Sequence, residues 1–314
     1  MSKIFAIAFN TFKEAVRNRI LYILLVFALL IMASSGIVGE LTISARDRVI
    51  KDLGTASISF FGLLIAIFVG IGLVYNELDK KTIYTIVTKP IDRHQFLIGK
   101  YLGLLLTIYV NIMIMTFFFL AVIYYQQYMG DETVTRALWT RLPNGEWIAP
   151  TFFTYFFYYI KSIIFSGARG LGTLILVYRV DATADILPLV FYSCLEMAII
   201  TAFAILYSSF STPTLSALLT ILTFVIGRLN ADIIIFADRL KGKGLTTLAN
   251  KIKYDFAWLA AHVTPNLWLF NRRTSLAVDT VEVRIEPYPI IYGILYSVAV
   301  IYLAVHIFRK RNFK

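Results

Sequence analysis

Long uncharged runs dominate the pattern of hydrophobic and polar positions along this 314-residue chain. A helix needs about 20 mostly apolar residues to cross the hydrocarbon core of a membrane. Four uncharged runs have about that length, and a fifth, 197–227, is long enough for two helices that would meet at Pro213. Because proline favours the first turn of a helix, we expect a new helix to begin there. The pattern predicts six spans, at 20–39, 57–75, 101–125, 186–209, 213–236 and 287–308.

Composition agrees with this pattern. Hydrophobic residues make up 59% of the chain and charged residues only 16%, with a mean hydropathy of +0.74. These values exclude a water-soluble domain. An aromatic content of 15% also excludes a disordered chain, because it supplies ample apolar surface to bury. We therefore expect an all-α integral membrane protein.

Basic residues near the helix ends predict the orientation. Lys and Arg accumulate before the first span, between the second and third spans, and after the last one. Cytoplasmic segments carry this excess, so both termini and the connection 76–100 are predicted to be cytoplasmic, in the cytoplasmic membrane. The net charge of +11 is then explained by basic residues that flank the spans and contact anionic lipid headgroups. It does not require a nucleic acid partner.

Two long segments, 126–185 and 237–286, are predicted to be extracytoplasmic. Within the first, 151–165 is very apolar and aromatic yet carries Lys161. A seventh span there would move the basic C-terminal tail to the outer side, against the charge bias. We therefore expect this stretch to lie on the outer membrane surface or dip into it.

The segment 1–19 before the first span predicts an amphipathic helix. Phe5, Phe9, Phe12 and Val16 repeat at helical spacing, with polar residues mostly on the other side. Such a helix lies in the headgroup plane of a membrane. It is either a simple anchor or a lever that moves with a cytoplasmic partner.

The connection 76–100 contains a short predicted helix, 82–87. The pair Lys89 and Pro90 forces a break after it, and Asp92 is a plausible N-cap for the helix that enters the third span. A short helix held between two spans and flanked by charged residues is suited to transmit a push from outside the membrane.

This connection resembles the coupling segment of ABC transporter permeases of the ABC-2 type. The matching residues, in order, are Glu77, Lys81, Thr82, Lys89, Pro90, Arg93, Gly99 and Lys100. The resemblance extends to AFNTFKEAVRNRILY at the start, to SSFSTPTLSALLT and to TPNLWLFNRR. It is greatest toward the branch containing the permease of the nitrous-oxide-reductase maturation system. The segment 126–185 departs from the family by being longer.

The resemblance implies a six-helix protomer that works as a dimer, with an identical or a different second protomer. Each protomer would dock one ATPase subunit, with the coupling helix at 82–93 in a groove of the ATPase and a smaller contact at 208–214. The chain lacks the G-x-x-x-x-G-K-[ST] motif. ATP and Mg are therefore expected on the partner ATPase, with no cofactor and no catalytic residue in this chain.

Four polar residues within the predicted spans are candidates for a gate or for helix packing. Glu196 is a carboxylate in the middle of a span, where it must face protein or water. Arg228 and Asp232 lie four residues apart, so the spacing predicts an ion pair on one helix face. Asn111 is an amide of the kind that associates helices. The histidines are scattered without ligand spacing, so we expect no metal site.

These observations predict the permease subunit of an ATP-driven transporter that exports or extrudes an amphipathic substrate. Membrane lipid and an extracytoplasmic protein are further possible partners. One alternative is a module that transmits ATP-driven movement to an extracytoplasmic partner without passing a substrate. Another is an ion-coupled carrier built on Glu196, Arg228 and Asp232.

Overall fold

Helices form nearly all of the computed structural model, which describes residues 3–40, 46–72, 92–130, 140–141, 147–148, 186–242, 248–271 and 286–310. The helices are α1 (Lys3–Val16), α2 (Arg19–Glu40), α3 (Arg46–Ile65) with its π-helical continuation Ala66–Ile71, α4 (Arg93–Gly130), α5 (Ile186–Ser208), α6 (Pro213–Arg228), α7 (Asn230–Gly242), α8 (Leu248–Val263) and α9 (Pro287–Lys310). A 3₁₀ turn covers Leu267–Phe270, and β1 (Thr140–Arg141) pairs antiparallel with β2 (Trp147–Ile148).

Five described helices are long and apolar enough to cross a membrane, and a sixth span exists if α6 and α7 count as one. This is consistent with the all-α integral membrane protein that the sequence predicts. Helices α2, α5 and α9 have nearly the predicted bounds. Helix α3 begins earlier than 57, and α4 extends beyond 101–125 at both ends, because a helix can continue through charged residues outside the hydrocarbon core.

The single helix predicted over 213–236 is instead broken. Helix α6 ends at Arg228, and α7 leaves it at an angle of 61°. The break coincides with a close tertiary contact, since a Cβ atom on Gly227 would lie 2.7 Å from the carbonyl oxygen of Pro265. The predicted outer-surface stretch 151–165 lies outside the described residues.

Helix α5 lies at the centre of the bundle, where it contacts α3, α4, α6 and α9. Its side chains are buried along most of its length, whereas α2 and α9 expose most of their apolar surface. Hydroxyl groups inside the bundle are satisfied locally: Thr107, Thr201 and Thr220 each donate to the carbonyl oxygen four residues earlier. Such bonds need no water, which suits a helix surrounded by lipid.

Close packing between α3 and α4 gives a first prediction. A Cβ atom on Gly54 would collide with the ring of Phe119, which is fully buried. We expect Gly54→Ala to lower the free energy of unfolding by about 1–3 kcal/mol, because the ring cannot leave its rotamer freely. A lower thermal melting midpoint of the purified protein in detergent would show this. Gly72→Ala is the matched control, because no atom of the described residues lies within 4 Å of its Cβ position; equal midpoints for the two variants would contradict the prediction.

Candidate functional site

The candidate coupling residues fall partly within the structure. Arg93 is the first residue of α4, directly after Asp92, and the backbone N–H of Phe96 donates to the carbonyl oxygen of Asp92 at 3.2 Å. Gly99 and Lys100 occupy the second turn of the same helix. The remaining five lie outside the described residues: Glu77, Lys81, Thr82, Lys89 and Pro90.

Helix α1 packs against the first turns of α4 through two glycines. A Cβ atom on Gly99 would lie 2.8 Å from Cβ of Ile7, and one on Gly103 would collide with the carbonyl oxygen of Ala8. Two small residues four positions apart allow helix backbones to approach closely. The sequence contained this spacing, although Gly103 was not among the predicted site residues.

Helix α1 packs against the protein with small side chains and not with its aromatic stripe. Ala8, Thr11 and Ala15 are buried, whereas Phe5 and Phe9 are 55% and 46% exposed. The aromatic stripe predicted from the sequence therefore faces away from α4. Its position in the membrane headgroup plane remains a prediction.

Lys100 lies between the two glycines and is 1% exposed. Its Nζ atom lies 3.5 Å from Oε2 of Glu14 on α1 and 5.9 Å from the centre of the Phe96 ring. A buried ammonium group needs such a partner, because burial without one is costly. The Gly99–Lys100 pair at the end of the connection 76–100 thus fixes α1 to α4.

Glu196 and Arg228 form the second candidate site. The guanidinium Nε and Nη2 atoms donate to Oε1 and Oε2 of Glu196, both at 2.7 Å. The side chains are 2% and 18% exposed, and the guanidinium carbon lies 5.2 Å from the centre of the Phe224 ring. This two-point geometry is the strongest form of an arginine–carboxylate contact, and it connects the middle of α5 to the end of α6.

The predicted ion pair between Arg228 and Asp232 is wrong. Spacing by four residues brings side chains together only on a continuous helix, and the break at Leu229 separates these two residues. Asp232 is exposed on α7, and Arg228 turns back to Glu196. The sequence does contain a signal for the observed pairing. Glu196 and Arg228 lie at similar distances along the chain from the turn at Pro213, so two antiparallel helices bring them to a similar depth.

Asn111 does not bond to another helix within the described residues. Its side-chain nitrogen donates to the carbonyl oxygen of Thr107 at 2.8 Å, one turn earlier on α4. Its Oδ1 atom is buried and has no hydrogen-bond partner in the described part of the chain. The structure thus gives Asn111 a local contact and leaves one acceptor unused.

Residues 15–150 match the family model described as ABC-2 family transporter protein. The match supports an ABC-2 type permease. It covers α2, α3, α4 and the connection 76–100, and it ends before Glu196 and Arg228. No curated protein matches the chain. Within the described ranges, no three His, Cys, Asp or Glu side chains lie where they could share a metal ion.

The contact between α1 and α4 gives a second prediction. In Gly103→Ala the new Cβ meets backbone rather than a movable side chain, so we expect α1 to leave its position. Trypsin should then cleave after the exposed Lys13 about tenfold faster, as a fraying helix becomes accessible to protease. Intact-mass spectrometry of the full-length protein measures this rate. Gly72→Ala should cleave like wild type, and a Gly103→Ala protein that does the same would refute the packing role.

Removing one charge of the buried pair gives a third prediction. Glu196→Gln leaves the Arg228 guanidinium without a counter-charge, so we expect a loss of about 3–5 kcal/mol in the free energy of unfolding. Equilibrium unfolding in detergent micelles measures this. Asp232→Asn makes the same chemical change at an exposed position and should alter stability by at most about 0.5 kcal/mol. Similar losses in both variants would contradict the assignment.

Proposed function

We propose that this chain is the membrane permease of an ABC transporter that exports or extrudes an amphipathic substrate. A separate ATPase subunit, which the family match implies as a partner, would supply the energy by docking on the coupling segment 76–100. The observation that carries the proposal is the fixed contact of α1 with the start of α4, at the end of that segment.

The mechanical part of the proposal follows from this contact. A force on the coupling segment acts on α4 at Arg93, its first residue. Because Gly99 and Gly103 leave no gap to α1, and Lys100 pairs with Glu14, the start of α4 and α1 must move together. Closure of the ATPase pair would thus displace a two-helix unit.

The displacement reaches the centre of the bundle through α4. The Tyr101 hydroxyl donates to the carbonyl oxygen of Ala198 on α5 at 3.2 Å, two residues from Glu196. Movement of α4 therefore acts on the helix that carries the buried ion pair. An amphipathic substrate suits this arrangement, because α9 exposes an apolar surface and packs against α5, which carries the buried polar pair.

The proposal also includes a second protomer and a cytoplasmic location of both termini. The apolar faces of α2 and α9 need either lipid or another protomer to cover them. The basic last turn of α9, with Arg309 and Lys310, is of the kind found on the cytoplasmic side. In this orientation α1 and the coupling segment face the ATPase.

Affinity isolation of the tagged permease from its native membranes in mild detergent tests the coupling surface. Mass spectrometry should identify a soluble P-loop ATPase with the wild-type chain. Arg93→Glu and, separately, Glu77→Lys should lower its recovery at least about tenfold, because a reversed charge at the docking surface repels the partner.

Lys310→Glu is the matched control, since it reverses an exposed charge outside the coupling segment on the same predicted face. It should retain the ATPase. Membrane insertion of each variant is verified by its extracted yield and monodispersity. Recovery of a folded wild-type permease without any ATPase, or equal recovery with Arg93→Glu, would count against the proposal.

A further inference from the structure

Helices α7 and α8 form a hairpin that is anchored at its base. The two helices pack on each other, and the side-chain nitrogen of Asn230 donates to the carbonyl oxygen of Ala261 at 2.7 Å. After the hairpin, the buried side chains of Leu267 and Phe270 hold the chain in the bundle. Beyond the base, two alanines are the buried side chains of the hairpin's described residues. They are Ala237 and Ala257. The large side chains of the hairpin therefore point outward.

The base of this hairpin lies about halfway along two spanning helices. Just before the hairpin, Arg228 binds Glu196 on α5. At its other end, the Tyr296 hydroxyl of α9 donates to the carbonyl oxygen of Val263 at 3.3 Å. With a rise of about 1.5 Å per residue, Glu196 and Tyr296 lie about 14–15 Å from the starts of their helices. Half of a membrane's hydrocarbon core measures about 15 Å.

Both depths are measured from the same side of the bundle. The backbone N–H of Glu286, just before α9, donates to the Tyr192 hydroxyl near the start of α5 at 2.8 Å. Farther along both helices, the rings of Phe203 and Tyr296 lie 6.1 Å apart. Helices α5 and α9 therefore run parallel, and α6 returns toward their starts. Helix α7 continues from α6 at 61°, so its length adds a rise of about 10 Å toward the level of those starts.

The exposed side chains change in character along the hairpin. Nearer the base, Ile234, Ile235 and Phe236 are all exposed, and Ile235 is exposed by 50%. Consecutive helix residues differ by about 100° in direction, so these three cover most of the free circumference of α7. On α8, Phe256 is 73% exposed and Leu259 is also exposed. Charged residues are concentrated toward the far end of the hairpin, at Asp238, Arg239, Lys241, Lys251, Lys253 and Asp255.

Two titratable side chains lie in the apolar part of the hairpin, and each has a local compensating contact. The His262 ring stacks on Trp258 with ring centres 4.3 Å apart, and its Nδ1 atom lies 2.8 Å from the Trp258 carbonyl oxygen. Asp232 lies in the first turn of α7, where the N–H groups of a helix start favour a negative charge. Both contacts lower the cost of placing these groups at the membrane depth of the base.

We propose that the α7–α8 hairpin is half inserted in the membrane, with its base among lipid acyl chains and its charged end among the headgroups. Lipid fits this surface because the exposed apolar side chains point in several directions, whereas a single protein surface would cover one face. The far-end lysines reach the headgroups with their long side chains. Part of the segment 237–286, predicted to be extracytoplasmic, is then a membrane-embedded element that holds the surrounding lipid beside α5 and α9.

Collision rates of spin labels in the full-length protein test the insertion. Single labels are placed at Ile235→Cys and Phe256→Cys in a Cys194→Ser background, in proteoliposomes of phosphatidylcholine and phosphatidylglycerol. We expect both labels to collide often with oxygen, which dissolves in acyl chains, and rarely with a hydrated nickel chelate, which does not. Calibration with spin-labelled lipids should place both labels between the headgroups and the bilayer centre.

Lys251→Cys is the matched control, because it is an exposed position of the same helix α8 nearer the far end. The oxygen-to-nickel collision ratio at Phe256→Cys should exceed the ratio at Lys251→Cys at least about fivefold. Equal ratios would place the whole hairpin in water. Low collision rates with both reagents at Ile235→Cys and Phe256→Cys would show that protein covers them, for example a second copy of the chain. Either result would overturn the insertion.

A measurement without labels serves if the cysteine variants do not accumulate. Lipids brominated in the middle of the acyl chain quench tryptophans that they contact, and Trp258 is exposed near the base of the hairpin. The fluorescence of Trp258, obtained as the difference between wild type and Trp258→Phe, should be quenched in such lipids. A difference that brominated lipid leaves unquenched would overturn the proposal. Neither measurement involves an ATPase, so failure of the insertion and failure of the proposed function are separate outcomes.

Discussion

Lipid supplies no hydrogen-bond partner, and this constraint determines where the polar groups of the chain lie. Hydroxyl groups meet it within one helix, as Thr116 does with the carbonyl oxygen of Ile112. Tyr207 and Thr223 meet it between helices, with their hydroxyl oxygens 2.8 Å apart. A carboxylate needs a counter-charge as well as donors, so the position of Glu196 in α5 requires a cation at the same depth. The fold supplies one by ending α6 at Arg228.

Glycine sets how closely the helices can approach. At Gly99 and Gly103 the missing side chains admit the backbone of α1, and at Gly227 they admit the carbonyl oxygen of Pro265. Without a hydrophobic force between helices in lipid, such close contacts provide the packing energy that joins them. Close contacts at glycines therefore fix α1 against the start of α4. They also fix the segment at Pro265 beside the end of α6.

The sequence predicts the long apolar helices, because composition alone determines them. It does not predict the features that depend on tertiary contacts. Long apolar runs suffice to predict the bounds of α2, α5 and α9, because any such run must cross the membrane or be buried in protein. The break after Arg228 was not predictable, since 225–236 has no proline and reads as one helix. Glu196 and Arg228 were recognised from their cost in lipid, but their pairing depends on how α5 and α6 pack. The stripe of Ala8, Thr11 and Ala15 was overlooked because larger aromatic residues dominate the pattern.

Helix α5 receives a contact from α4 and a contact from α6 within a single turn. Ala198 receives the hydrogen bond from Tyr101, which lies two residues from the α1 contact at Gly103, and Glu196 receives Arg228. A close-packed interior resists continuous deformation, so a displacement of α4 moves α5 as a body or breaks a contact on it. A displacement of α4 can therefore reach the end of α6 through α5, although neither Glu196 nor Arg228 belongs to the matched region 15–150.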